Sequence, residues 1–311
     1  MLDESPAPKF DRVALIGIGL INSSLAHAMR RHGMAGHIVV GDSNALHCQR
    51  ALELGIADAV FTDNALAVRD ADLIVLGVPV AAIAAVAAEI GPHLTAGAIV
   101  TDVCSTKASV IRDLMPHLPA GVHFVPGHPI AGTEFSGPDA GFAEVFEERF
   151  CLLTPLVGTP DAVIARVAAM WTRCGMTVEV MDAEHHDRVL AITSHLPHLI
   201  AYTIVGTATD LGTELEEEVI RYSASGFRDF TRIAASDPVM WRDVFLNNRE
   251  AVLDVLSRFN EDFARIQTAV REGDGEALFE LFKRTGAIRR GIVGLRQHTA
   301  EEQKVRQGET N

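Results

Sequence analysis

The chain reads as an α/β protein in two parts, an amino-terminal doubly wound parallel sheet and an all-helical carboxy-terminal part. Three observations carry that prediction. A buried strand runs into a glycine turn and a helix over residues 12–33, strands and helices then alternate as far as Met181, and from Asp182 strand signals stop while helical periodicity runs to His298.

The first strand is predicted over 12–16, followed by Gly17-Ile18-Gly19-Leu20-Ile21-Asn22 and a helix ending near Gly33. In this arrangement Gly17 permits the tight turn, Gly19 lets the backbone approach a pyrophosphate, and the helix start at Leu20 and Ile21 supplies free N–H groups and a positive dipole end. Asn22 holds the place of the usual third small residue. That predicts a helix set slightly further out, or an amide turned toward solvent or cofactor. The second strand, 37–41, ends in Asp42, which lies 23 positions after Gly19. A carboxylate there accepts hydrogen bonds from the adenosine ribose and repels a 2′-phosphate, so the domain is Rossmann-type and the expected cofactor is NAD rather than NADP. A helix cap is the competing role for Asp42 and fits the spacing less well.

Further strands are predicted over 72–77, 98–103 and 122–126, with helices over 81–90 and 107–114 between them. Ligands of such sheets sit outside the carboxyl ends of the strands, which places Val78, Pro79, Asp102 to Lys107 and the segment 127–134 on the cofactor edge. Two more strands, 150–154 and 177–181, flank a helix over 161–174 and close a domain spanning 1–181.

The segment Gly127-His128-Pro129-Ile130-Ala131-Gly132-Thr133-Glu134 puts a histidine in a rigid loop on that edge. Near neutral pH a histidine can take a proton from a hydroxyl while the carbon bearing it gives hydride to a nicotinamide. Alone, His128 is better read as a turn residue bonded to a neighbouring carbonyl; beside a dinucleotide cradle it is a candidate base.

The second part, 182–298, opens with Glu184-His185-His186-Asp187 on a long apolar helix, interrupted by Ser194-His195-Leu196-Pro197-His198. His195 and His198 share a helix face, but no third ligand stands at a suitable spacing, so no metal is expected. They read as a polar pair facing the cleft, with a satisfied core histidine as the alternative for His195. Between Gly226 and Asp243, arginines and aspartates interleave with Phe227, Phe230, Ile233 and Trp241. That pattern predicts at least one buried arginine paired with a carboxylate of protein or substrate. Asp237-Pro238 marks a helix start. Helices over 250–270 and 276–295 are long enough to pack across a partner subunit. The glutamates at 214 and 216–218 read as a solvated turn, and the polar residues 299–311 as a disordered tail.

Composition narrows the function. With 311 residues and 48% hydrophobic content the chain is long enough for two domains. A formal charge of −14 argues against nucleic acid or an anionic membrane, while a pocket of arginines can still hold a small anion. The apolar runs look too short to span a bilayer and the amino terminus lacks a signal-peptide core, which predicts a cytoplasmic protein. The four cysteines form no Cys-x-x-Cys pair, so neither a disulfide framework nor a thiolate metal site is indicated.

Taken together, Gly17-Ile-Gly-Leu-Ile21, Asp42, Gly127 through Glu134, Ser194 through His198, and Gly226-Phe-Arg-Asp-Phe-Thr-Arg232 through Trp241-Arg-Asp243 resemble the prephenate/arogenate (cyclohexadienyl) dehydrogenases of tyrosine biosynthesis, over residues 12–296. The resemblance implies that His128 is the catalytic histidine and Ser105 the serine that bonds the substrate hydroxyl. It makes His198 a pocket histidine and Arg232 the arginine holding the side-chain carboxylate. Thr133, Glu134, Asp229 and Trp241 fall on pocket positions, Trp241 being expected from the neighbouring subunit of an intertwined homodimer. Two positions depart from the pattern: Asn22, and Ser225 where a second glycine often stands. Prephenate and arogenate are left open. So are two other readings: an NAD-dependent β-hydroxy-acid dehydrogenase, disfavoured because no lysine stands between Lys107 and Lys283, and a catalytically silent NAD-binding regulatory protein.

Overall fold

The computed structural model describes residues 9–133, 135–210, 221–222 and 224–293. Glu134, the 214–218 glutamates and the 299–311 tail lie outside them. The chain forms two compact units, Met1–Arg249 and Glu250–Asn311. The division after Met181 read from the sequence falls inside the first.

In the first unit, β1 (Phe10–Ile16), α1 (Leu20–His32), β2 (Ala35–Gly41), α2 (Ala45–Glu53), β3 (Ala59–Phe61), α3 (Asn64–Ala67), β4 (Leu73–Leu76), α4 (Ile83–Ile90), β5 (Ile99–Asp102), α5 (Ala108–Leu114) and β6 (His123–Val125) follow one another. The six strands pair in parallel in the order β3-β2-β1-β4-β5-β6. Parallel strands need covered faces, and the near-continuous apolar runs of β1, β2 and β4 answer that need. On one face Leu15, Leu25, Met29, Phe146 and Trp171 pack into a buried cluster; on the other, Ile16, Ile74, Ile83, Ile90 and Leu114 do. Each such aliphatic side chain contributes about 1.5–3 kcal/mol on burial. β3 is not among the predicted strands; it has three residues, all half-buried and without alternation.

The segment holding His128 is a strand and not the expected loop. β7 (Gly127–Pro129) pairs antiparallel with β8 (Phe150–Leu153), and β9 (Thr177–Val180) lies parallel to β8 across α6 (Asp161–Arg173). Ladder pairing of His128 with Leu152 fixes the histidine's backbone more firmly than a turn would.

Then come α7 (Ala183–Leu190), a π-helical turn (Ala191–His195), α8 (Leu196–Thr209), α9 (Ser225–Thr231), a 3-10 turn (Arg232–Ala235) and α10 (Pro238–Asn247). Asp237 caps α10 through Met240 N–H, as its place before Pro238 predicts. The continuous helical run Ala183–Thr209 has 27 residues and a mean hydropathy of 1.4 over its most apolar window, so it matches a membrane span by length and composition. The expectation that every apolar run is too short to span a bilayer is corrected by this helix. The polar side chains of His186, Asp187 and His195 within it are buried against the rest of the unit. In the second unit, α11 (Arg249–Glu272) and α12 (Gly275–Val293) expose Leu253, Phe263, Phe279 and Phe282. All four cysteines are free and buried, and burial raises the thiol pKa of each.

Candidate active site

The glycine turn has the shape its sequence predicts. Gly17 sits at φ +81°, and a Cβ there would meet the backbone of Gly77 and the Val78 side chain at 2.9 Å. Nothing lies within 4 Å of a Cβ built on Gly19, the residue that caps α1 and leads into half-buried Leu20 and Ile21. Open space over free helix N–H groups is what a pyrophosphate requires. Asp42 ends β2 with Oδ2 accepting from Ile18 N at 2.8 Å and Oδ1 from Asn44 N at 2.8 Å. Its carboxylate therefore braces the glycine turn, and Asn44, not Asp42, is the cap of α2. These residues fit a dinucleotide.

Asn22 does not turn its amide to solvent, and this corrects the second of the two alternatives expected for it. It is buried, and Nδ2 donates inward to Gly17 O at 2.8 Å, Ile16 O at 3.2 Å and Val75 O at 3.3 Å. The room comes from Gly77, where any Cβ would lie 2.5 Å from that nitrogen. Asn22 thus ties the end of β1 to β4 where a third glycine would only have allowed close packing.

Asp102 was expected on the cofactor edge but is wholly buried. Its carboxylate is ion-paired with the equally buried Lys107 and accepts from Cys104 N at 3.0 Å and Gly127 N at 3.2 Å. Lys107 Nζ also donates to Gly127 O, so the pair grips the backbone just before His128 from behind. Val78 follows β4 beside the glycine turn and Pro79 caps the next 3-10 turn. Both stay at the strand's carboxyl end.

His128 is buried at 9% exposure, and Nδ1 lies 2.9 Å from Nε2 of His186. His186 Nδ1 in turn lies 2.8 Å from Asp187 Oδ1. Asp187 Oδ1 accepts from Lys107 N at 2.8 Å and Oδ2 from Ala108 N at 3.0 Å, so one carboxylate of α7 caps α5. Asn248 Nδ2 reaches Asp187 O at 2.8 Å and His195 Nδ1 at 3.1 Å. Burial holds His128 well below its ordinary pKa, with His186, Lys107 and His195 acting in the same direction. Burial also lowers His186, against the pull of Asp187. Ser105 lies half-buried between β5 and α5, on the same edge.

The second group gathers on the helices. His198 Nδ1 donates to Ser194 O at 2.9 Å, leaving Nε2 as its acceptor, and the ring stacks on Trp241. Trp241 comes from the same chain, buried against His198, His195 and Phe245, where a second subunit was expected to supply it. Burial lowers the pKa of His198, offset by the Ser194 carbonyl and reinforced by the nearby Arg232 guanidinium. Arg228 and Arg232 are both exposed within the chain, so the predicted buried arginine is absent from this pair; Asp229 is exposed too, and Thr133 is half-buried with Oγ1 accepting from Phe135 N at 3.3 Å. His195 is half the satisfied core histidine proposed for it, since Nε2 is buried with no partner. Among the described residues no cluster of three or more His, Cys, Asp or Glu is placed to hold a metal ion.

The sequence named His128 but gave no role to Lys107, His186, Asp187 or Asn248. An imidazole beside a carboxylate is visible at 186–187; the histidine it meets, His128, lies 58 residues away.

An open helix start after a glycine turn, with a buried histidine at the strand ends, is the arrangement of a dinucleotide-dependent dehydrogenase. Residues 25–180 match the family model described as prephenate dehydrogenase, nucleotide-binding domain, and residues 182–284 that described as prephenate dehydrogenase, dimerization domain. The chain belongs to the prephenate dehydrogenase family. It is 44% identical over 280 residues to the cyclohexadienyl dehydrogenase of Zymomonas mobilis, covering 90% of this chain and 95% of that one. The crystal structure of prephenate dehydrogenase from A. aeolicus in complex with hydroxyphenyl propionate and NAD+ is similar at a TM-score of 0.83 and 35% identity, over 91% of this chain and 98% of that one. Synechocystis arogenate dehydrogenase is similar at a TM-score of 0.76 and 25% identity, over 90% of this chain and 99% of that one.

Proposed function

We propose that the protein catalyses the NAD+-dependent oxidative decarboxylation of prephenate, arogenate or both, giving 4-hydroxyphenylpyruvate or tyrosine. The observation that carries this reading is the buried His128, its pKa lowered by burial, at the carboxyl edge of a sheet whose first turn fits a dinucleotide. Within it the cofactor domain ends at Met181 and a substrate and dimerisation domain follows, a division that the two matched family segments support.

Bound NAD+ supplies a hydride acceptor. His128 takes the proton of the substrate's ring hydroxyl as the carbon bearing it gives up hydride. It returns that proton to the same oxygen as the ring carboxylate leaves as carbon dioxide and the ring becomes aromatic. Ser105 bonds the hydroxyl and orients it. His198 presents Nε2 to the substrate, Arg232 pairs with the side-chain carboxylate, and Thr133, Glu134, Asp229 and Trp241 complete the pocket. Homodimer formation and a cytoplasmic location belong to the same reading, the second supported by four free cysteines.

The test is NADH formation with prephenate and with arogenate offered separately, then with NADP+ in place of NAD+. Turnover on either substrate with NAD+ supports the reading and the ratio gives the preference. Dinucleotide binding without turnover on either overturns it in favour of a silent binder.

A further inference from the structure

Asp187 fixes the direction of every hydrogen bond between itself and His128. Its two oxygens accept from the backbone N–H groups of Lys107 and Ala108 at the start of α5, where the helix dipole also favours an anion. A carboxylate in that position accepts only, so the proton between it and His186 sits on His186 Nδ1. Burial lowers the pKa of His186 and so favours its neutral form; with the proton on Nδ1, Nε2 then carries the lone pair and accepts from His128 Nδ1–H. By elimination the lone pair of His128 is on Nε2, the ring nitrogen that no described hydrogen bond occupies.

From this chain of contacts we propose that His186 and Asp187 are positioning residues for the catalytic base, fixing His128 in the Nδ1–H tautomer and delivering Nε2 as the proton acceptor. The proposal rests on the dehydrogenase reading for its catalytic consequence, though not for the tautomer. When His128 accepts a proton the same contacts stabilise the imidazolium: Nδ1–H already has its acceptor, and the Asp187 charge lies one ring further on. Lys107 opposes that charge, but its ammonium is neutralised by Asp102. The charged and titratable groups around the base are thus His186, Lys107 and His195 directly, with Asp102 and Asp187 behind them.

Two isosteric substitutions separate the links. His186→Asn keeps a donor near the Nδ1 position for Asp187 and loses the acceptor for His128. His186→Gln keeps an acceptor near the Nε2 position and loses the link to Asp187. The expected result is that H186N loses at least ~10-fold more turnover than H186Q, with the Michaelis constants of both variants close to the parent's. Equal turnover in the two variants, whether both stay high or both fall, overturns the proposal. Nitrogen-15 spectra of histidine-labelled parent protein, assigned with His128→Asn, give a second readout that needs no substrate and no altered His186. A proton on His128 Nδ1 is expected, and one on Nε2 overturns the proposal. Should the parent turn over neither prephenate nor arogenate, the functional reading fails while these spectra still decide the tautomer.

Discussion

The imidazole of His198 and the indole of Trp241 lie face to face, with ring centroids 3.5 Å apart and planes 23° from parallel. The Ser194 carbonyl holds one edge of the imidazole, so ring and indole together restrict His198 to one orientation. Removing the indole opens a cavity as well as freeing the ring. Trp241→Ala is expected to cost about 3–5 kcal/mol of stability and to raise the substrate Michaelis constant, while Trp241→Phe, which keeps an aromatic face, does less of both. Denaturant midpoints and steady-state kinetics check this; unchanged Michaelis constants in both variants would remove His198 from substrate contact.

His128→Asn should lower kcat by about 10²–10⁴ with little change in Michaelis constant, since it removes an interaction made in the transition state. Because burial lowers the pKa of His128, the base stays unprotonated as the pH falls through the ordinary histidine value of about 6.5, and kcat/KM is lost only further down. A pH–rate profile tests the sign. An acid limb centred near the ordinary value would mean that the base is solvated in the working enzyme.

Asn22→Ala should destabilise the first unit by about 1–3 kcal/mol, because it removes a buried amide that donates to the carbonyls of Ile16, Gly17 and Val75 and ties β1 to β4. It should also weaken NAD+ binding, since the Gly17 carbonyl belongs to the turn itself. Thermal unfolding and calorimetric titration with NAD+ read the two effects. A variant with unchanged unfolding would show that water replaces the amide.

Protein stability should fall as the pH drops below neutral. His195 is pushed down to about 4 by burial, so between the unfolded value near 6.5 and that point the unfolded chain binds a proton which the folded chain refuses. Stability is complete above about 6.5 and is lost across that window, by roughly 3 kcal/mol from this residue. His128, His186 and His198 shift in the same direction and add to the slope. His195→Asn retains an acceptor for Asn248 and removes the titration, so its urea midpoint should depend less on pH than the parent's. Parallel curves would exclude His195.

The doubly wound sheet was legible because its signals are local. Residues 10–33 alone carry a buried strand, a turn at positive φ and a helix closed by Gly33 at φ +64°. His128 stands out in the sequence as a candidate base through its neighbours, whereas its strand does not, since three residues pairing with a partner more than 20 positions away leave no periodicity. What stayed hidden depends on contacts between distant segments. Asp187 meets the backbone of Lys107 across 80 residues, and a carboxylate opening one helix gives no sign that it caps another. Asp102 and Lys107 likewise look like a polar edge in sequence, and only folding shows that they neutralise each other inside the core.

The π-helical turn at Ala191–His195 adds one residue to a helix that would otherwise run evenly from His186 to His198. A π-turn takes up its added residue as a bulge of the backbone, so α8 leaves it in nearly the phase that an even α-helix one residue shorter would have. His186 and Asp187 keep their place under α5 and His198 its face on Trp241 with the extra residue stored between them. The bulge therefore changes which main-chain groups the turn presents between the two groups of polar residues, and it leaves their relative phase as it was.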